Sequence, residues 1–163
     1  MTKPLPALSL RNDAIAPFQT MELVKSAQAL EASGRSIIHM SIGEPDFTAT
    51  PSVIEALNQA LAQGKSHYTP ALGIAPLREA IATHYLRTEA LEVDPACVIV
   101  TAGASAALTL ACLALVNPGD EVLLTDPSYP CNRHFVAAAN GIAKTIPVGP
   151  ETRYQLNAEL VRN

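Results

Sequence analysis

The chain has 163 residues, of which 48% are hydrophobic and only 16% are charged, and its formal net charge is −4. This length favours one compact domain, and the low charged fraction indicates apolar surface that is buried by the chain itself or by a partner. The Lys and Arg residues are scattered and no apolar run reaches the length of a membrane span. We therefore exclude nucleic acid and membrane as partners and expect a cytoplasmic protein without a signal peptide.

The cysteines and histidines do not suggest a metal site. The three cysteines are an odd number without CxxC spacing, so we predict buried free thiols rather than a disulfide framework or a zinc centre. The four histidines are also without metal-ligand spacing, and we interpret them as structural or surface residues. The cysteines are Cys97, Cys112 and Cys131, and the histidines are His39, His67, His84 and His134.

The first half of the chain predicts three helices and one strand. Gly34 is typical of the residue just past a helix end, and Thr50 followed by Pro51 is typical of an N-cap and first helical position. The spacing of apolar residues sets the other boundaries. In chain order, we predict a helix over 17–33, a strand over 36–42, a helix over 51–63 and a helix over 75–88.

The second half alternates strands with helices, which predicts right-handed βαβ units and a mainly parallel sheet of the α/β class. Strands are predicted over 97–101, 121–125 and 142–148, and helices over 106–116 and 132–140. The helix over 106–116 is apolar all round, so we expect it to be buried. Asn157 is typical of the N-cap of a further helix. The sequence ends about one turn into this predicted helix, so we expect the chain to be truncated.

The small-residue turn Thr101–Ser105 lies between a predicted strand and a helix, which is the usual anion site of a parallel α/β sheet. Backbone N–H groups there can approach a phosphate, and the Ser105 hydroxyl can add a donor. The turn lacks the Walker and dinucleotide fingerprints. Close packing of the helix is an alternative, and so is a serine-hydrolase nucleophile elbow, for which His134 is the only downstream histidine.

Three further loops are rigid enough to present functional groups. In the loop 126–130 an aromatic residue, Tyr129, stands between two prolines and could offer its face to a flat ring. The other two loops are 43–47 and the segment from Tyr68 through Gly73. Each of the three loops alone could equally be a plain turn or connection.

Taken together, the motifs resemble the class I/II aminotransferases of the aspartate aminotransferase superfamily, which are fold type I pyridoxal-phosphate enzymes. The resemblance runs from about Ala14 to Leu160. In order, its motifs are IGEPDF at 42–47, YTP at 68–70 with Gly73 and LREA at 77–80, TAGASAAL at 101–108, PGDEV at 118–122 and DPSYP at 126–130. It implies part of a large three-layer αβα domain from residue 46 onward, preceded by an arm or small-domain segment over 1–45.

The resemblance also implies roles for single residues. Gly43 would contact the substrate carboxylate through its backbone. Gly103, Ala104 and Ser105 would surround the phosphate of pyridoxal 5'-phosphate, with Ala104 standing where glycine is frequent. Tyr129 would stack on the pyridine ring, and Tyr68 would reach the phosphate of a neighbouring subunit. The family therefore implies a homodimer with shared active sites.

The same resemblance implies amino-group transfer between an amino acid and a 2-oxo acid. In the family, a lysine holds the cofactor as a Schiff base, an acid pairs with the ring nitrogen and an arginine binds the substrate carboxylate. All three fall beyond Asn163, and no lysine of this chain lies in the expected context, so we predict a chain that is inactive alone. A pyridoxal-phosphate-dependent carbon–sulfur lyase and a non-catalytic binding or regulatory relative remain alternatives.

Overall fold

The computed structural model describes residues 7–162, which form two compact units. One unit contains the described residues up to Ile42 together with those from Gly103 onward, and the other contains Gly43–Ala102. The helices are α1 Gln19–Ala32, α2 Pro51–Ala62, α3 Ala75–Glu89, α4 Gly103–Leu115, α5 Asn132–Ala138 and α6 Ala158–Arg162, and the strands are β1 Glu121–Asp126 and β2 Ile142–Pro147.

The two strands form a parallel pair, which confirms the α/β class predicted from the alternating pattern. Their register runs from Glu121 opposite Ile142 to Asp126 opposite Pro147. α5 is the crossover between them and contacts both. The buried residues of this region are Val136 and Ala139 from the α5 segment and Val148 just after β2. Small and β-branched side chains therefore form the contact between helix and sheet.

A hydrogen-bonded turn at 117–120 leads from α4 into β1. The N–H of Asp120 donates to the carbonyl of Asn117 at 3.0 Å, and a carboxylate oxygen of Asp120 accepts from the Asn117 backbone and side-chain amides at 2.7 and 3.0 Å. Gly119 has a φ of +88°, which other residues rarely adopt. The sequence Asn-Pro-Gly-Asp thus supplies the reversal that the prediction required here.

α4 differs from its prediction in two ways. It begins at Gly103, so the residues expected to form a turn, up to Ser105, are its first helical residues. None of its residues is buried, and Leu113 and Leu115 are 60% and 78% exposed. The prediction that this apolar helix is buried was therefore wrong for the described chain. Burial needs covering elements, and α5 is the main helix that packs against α4 here.

The unit Gly43–Ala102 is helical, and the strand predicted over 97–101 is not present in it. A short 3-10 turn covers Pro95–Cys97, and residues 98–101 are extended without a strand partner. The carbonyls of Pro95 and Val98 accept hydrogen bonds from the guanidinium of Arg78 on α3 at 2.6 and 2.9 Å. The N–H of Val100 donates to the Leu72 carbonyl at 3.1 Å. These backbone groups are bonded individually rather than in a ladder.

Two further predictions were wrong. Residues 36–42 are not a strand, because no neighbouring strand pairs with them in the described chain, and Ile38 and Met40 are 85% and 89% exposed. The three cysteines are free, as predicted, but none is buried: Cys97 is exposed, and Cys112 and Cys131 are intermediate.

The predicted helix boundaries at capping residues were close to those observed. Asn157 caps α6 through a hydrogen bond that its side-chain oxygen accepts from the Leu160 N–H at 2.9 Å. Thr50 is the N-cap of α2, but its hydroxyl bonds the Ser52 hydroxyl at 3.1 Å instead of capping the helix. Gly34 and Gly64 follow α1 and α2 with positive φ, as residues past a helix end commonly do.

Candidate functional site

The first turn of α4 has the geometry of an anion site. Gly103 has a φ of +79°, and a Cβ added to it would meet no atom within 4 Å, so the space beside its backbone is open. The first backbone N–H groups of any α-helix have no acceptor within the helix and carry the positive end of its dipole. Ala104 and Ser105 are both exposed at this end. The residues predicted to surround a phosphate therefore leave room for one.

Ser105 presents its side chain without a competing partner. Within residues 7–162 its hydroxyl makes no hydrogen bond, whereas its carbonyl accepts one from the Thr109 hydroxyl at 2.8 Å. No hydrogen bond joins Ser105 to His134 in the described chain either, so the nucleophile-elbow alternative gains no geometric support. An available hydroxyl beside a helix start suits a phosphate oxygen.

Tyr129 lies in the loop between β1 and α5, where the Asp126–Pro127 peptide bond is cis. Its side chain is 51% exposed, so part of the ring is available to a ligand. A hydrogen bond to the Cys131 thiol raises the pKa of the Tyr129 phenol, with an electrostatic contribution from the same residue. The phenol is therefore neutral at physiological pH, and the tyrosine offers an uncharged aromatic face.

Packing within the unit that contains α4 and the two strands indicates where α4 begins relative to the sheet. Gly141, just before β2, lies so close to Val116, just after α4, that an added Cβ would come within 2.6 Å of a Val116 methyl group. The C-terminus of α4 is thus at the amino end of the strands. Thirteen helical residues and six strand residues each span about 20 Å. We therefore expect Gly103 and Tyr129 to lie at the same, carboxyl, edge of the sheet, where α/β proteins bind ligands.

The other two predicted site residues belong to the second unit. The Tyr68 side chain is fully exposed, and an added Cβ at Gly43 would meet no atom within 4 Å. The structure thus places Gly103, Ala104, Ser105 and Tyr129 in one unit and Gly43 and Tyr68 in the other. No group of three or more His, Cys, Asp or Glu residues that could hold a metal ion occurs in the part of the chain described.

A cleft of about 280 Å³ is lined by Pro130, the residue that follows Tyr129. Its walls come from the segment before and at the start of α1 and from the start of α5, and they include Pro17, Phe18, Pro130, Arg133 and His134. Phe18 also contacts the ring of Tyr129, edge to face, with centroids 6.0 Å apart and planes at 71°. The sequence pattern did not single out Phe18 or Cys131, because neither a ring contact nor a thiol hydrogen bond has a sequence signature.

Comparison with known proteins identifies the family. The model of the family "Aminotransferase class I and II" matches residues 35–163, which include every predicted site residue. The chain therefore belongs to the class I and II aminotransferase family, as its motifs predicted.

Individual relatives support this assignment. A (5-formylfuran-3-yl)methyl phosphate transaminase of Methanocaldococcus jannaschii is 38% identical over 73% of the chain, and a valine–pyruvate aminotransferase of Mycobacterium tuberculosis is 35% identical over 90%. The solved structure of an aspartate aminotransferase from Thermus thermophilus with maleate matches 97% of the chain with a TM-score of 0.91 and 36% identity. The fold is therefore that of the aminotransferases.

The chain covers only part of each relative's length. It spans 32% and 38% of the two curated relatives and 41% of the Thermus structure. Within residues 7–162, no helix combines the length and apolar character needed to cross a bilayer.

Proposed function

We propose that the protein containing this chain is a pyridoxal-phosphate-dependent aminotransferase that transfers an amino group between an amino acid and a 2-oxo acid. The observations that carry this proposal are the open space beside Gly103 at the start of α4 and the exposed aromatic ring of Tyr129, in a chain of the aminotransferase family. We place the protein in the cytoplasm and in amino acid metabolism.

The phosphate side of the proposal rests on α4. A phosphate monoester carries nearly two negative charges, which the dipole and N–H groups at a helix start stabilise. Backbone donation does not depend on the side chain, so Ala104 can stand where glycine is frequent in the family. In the proposed complex, the hydroxyl of Ser105 donates to a phosphate oxygen.

The ring side rests on Tyr129. A neutral aromatic face stacks on a planar heteroaromatic ring, and the flanking prolines limit the movement of the loop. When bound, pyridoxal phosphate supplies an electron sink for bonds to the amino-acid Cα. The role of Tyr129 is to hold the ring in the orientation that this chemistry needs, and the backbone of Gly43 would bind the substrate carboxylate.

We propose further that this chain does not react alone, because no described lysine is placed to attach the cofactor. Lys25 pairs with Glu22 at 2.6 Å and Lys144 pairs with Glu121 at 3.0 Å, and all four side chains are at least half exposed. Lys65 is exposed, and its side chain makes no hydrogen bond or ion pair within residues 7–162, whereas Lys3 lies outside the described residues. A lysine that forms a stable Schiff base normally needs a desolvated or cationic setting that lowers its pKa.

Tyr68 supports a homodimer with shared sites. It is fully exposed and makes no hydrogen bond within residues 7–162, so its hydroxyl is available to a second subunit. We propose that it donates to the phosphate bound by that subunit. The substrate is left open, because the relatives named above act on different amino donors and acceptors.

The test of the reaction uses the protein that contains this chain, loaded with pyridoxal phosphate. Addition of single amino acids should shift the cofactor absorbance and release the matching 2-oxo acid, and a second 2-oxo acid should restore the spectrum. Release of pyruvate and ammonia without any acceptor would instead identify a lyase. No spectral change with any amino acid would identify a non-catalytic relative.

The test of the phosphate site is Ser105→Ala. Loss of one charge-assisted hydrogen bond should weaken pyridoxal phosphate binding by about 10-fold or more. Binding of pyridoxal, which lacks the phosphate, should not change, and Ser26→Ala on α1 is the matched control. An equal loss of affinity for both compounds would remove Ser105 from the phosphate site.

The test of the chain alone is borohydride reduction with pyridoxal phosphate, followed by peptide mass spectrometry. We expect no lysine to be labelled in preference to the others. Stoichiometric labelling of one lysine would contradict the proposed inactivity.

A further inference from the structure

Tyr129 is restrained by a second aromatic ring although about half of the residue is exposed. The rings of Phe18 and Tyr129 meet edge to face at a centroid distance of 6.0 Å. This geometry is the favourable one for aromatic pairs, because the positive edge of one ring meets the negative face of the other.

Phe18 is itself fixed in place. It is partly buried and is the N-cap residue of α1, where its carbonyl accepts a hydrogen bond from the Met21 N–H at 2.9 Å. The segment before it is attached to α5 at another point, because the guanidinium of Arg11 donates to the Ala138 carbonyl at 3.1 Å. The segment from Arg11 to Phe18 therefore runs beside α5, from the end of the helix to the loop before its start.

We infer that Phe18 is a positioning residue for Tyr129, so that the segment preceding α1 forms part of the cofactor site. This inference rests on the proposed function, because it assumes that Tyr129 stacks on the pyridine ring. Phe18 restricts the rotation of the Tyr129 ring. This restraint reduces the ordering that the ring must undergo when a ligand stacks on it.

The decisive experiment is a double-mutant cycle on the dissociation constant of pyridoxal phosphate, measured with the longer protein that contains this chain. Phe18→Leu should weaken binding by about 3- to 10-fold when Tyr129 is present and should have no effect in a Tyr129→Leu background. Phe18→Tyr keeps the ring and should restore the affinity. Thr20→Val, which changes a non-aromatic residue of the same cleft, is the matched control.

The outcomes separate the inference from the proposed function. If Tyr129→Leu alone leaves the affinity unchanged, the stacking role of Tyr129 fails and the proposed function loses its ring platform. If Tyr129→Leu weakens binding but the effect of Phe18→Leu is the same in both backgrounds, only the positioning role fails. Circular dichroism of the bound cofactor gives a second readout, since a ring that turns freely should reduce the induced signal.

Discussion

Each of the two units is stabilised internally by a different kind of interaction. The β1–α5–β2 region has a parallel ladder and an apolar interior, in which Val136 is only 2% exposed. The unit Gly43–Ala102 has no strand among its residues and one buried residue, Ala82, and its extended segment is fastened by the side chain of Arg78. Apolar contacts therefore stabilise the β1–α5–β2 region, whereas single polar contacts determine the local structure of the extended segment in the unit Gly43–Ala102.

The contrast bears on function because the two regions carry different predicted roles. Tyr129 lies in the packed region and the start of α4 belongs to the same unit, and the cofactor contacts that we propose for them would need fixed positions. The other unit holds Gly43 and Tyr68, for which we propose contacts to a substrate and to a second subunit. A loosely packed unit can be ordered by such partners, because binding to the folded form adds to its stability.

The largest expected effect comes from a charge placed in the packed region. Val136→Asp would bury an unpaired carboxylate against α4 and β2, and we expect a loss of more than about 4 kcal/mol in the free energy of unfolding of this region. Native-state hydrogen exchange at the β1 and β2 amides measures the change. Val53→Asp on exposed α2 is the matched control and should have little effect. Equal losses would show that the packed interior is not the main source of stability.

The next effect tests close packing in the other unit. Gly73 has a φ of +97°, and an added Cβ would lie 2.6 Å from a Val100 methyl group. Gly73→Ala should therefore combine backbone strain with overpacking, at a cost of about 2 to 4 kcal/mol. Gly64→Ala shares the positive φ but meets no atom within 4 Å, so it isolates the strain. If the two variants lose the same stability, the contact with Val100 contributes nothing.

A smaller effect is expected from removing the Arg78 contacts. Arg78→Met keeps much of the apolar stem but leaves the Pro95 and Val98 carbonyls without this donor, at a cost of about 2 kcal/mol. Because Arg78 is partly buried, solvent only partly compensates. Hydrogen exchange at Val98 and Val100 should accelerate while β1 and β2 stay protected. Arg87→Met, on the exposed end of α3, is the control, and acceleration across both units would contradict the local role.

The helices were predictable from sequence because their signals are local. Pro51 and Asn157 indicate helix starts, Gly34 indicates an end, and each acts within one turn. Strand pairing is not local. The segments 36–42 and 97–101 have strand-like composition, but whether they pair depends on a neighbouring strand, which neither has in the described chain. Composition predicted β1 and β2 correctly because a short crossover through α5 brings them together.

The candidate site was predictable to the extent that its residues form motifs. The glycine at 103 and the tyrosine between prolines were visible in the sequence, and their exposed placement agrees with the roles we propose for them. Phe18 was visible only as one apolar residue of a predicted helix, because its contact with Tyr129 joins segments more than a hundred residues apart. The Arg78 contacts join residues only 17 and 20 positions apart, and they were missed because a side-chain bond to a backbone carbonyl has no sequence signature.

The smallest effect sharpens the comparison by removing a polar contact from the packed region. The Asp120 carboxylate accepts two hydrogen bonds from Asn117 at the turn into β1. Both hydrogen bonds are exposed, so water can replace the carboxylate as the acceptor when it is removed. Asp120→Ala should cost about 1 kcal/mol, and Asp120→Asn, which retains an acceptor, should cost less. Urea unfolding of the two variants, compared with Arg78→Met, tests this order. If Asp120→Ala lowers the free energy of unfolding as much as Arg78→Met does, polar contacts contribute equally in both units. The contrast between the packed β1–α5–β2 region and the unit that depends on the Arg78 contacts would then be wrong.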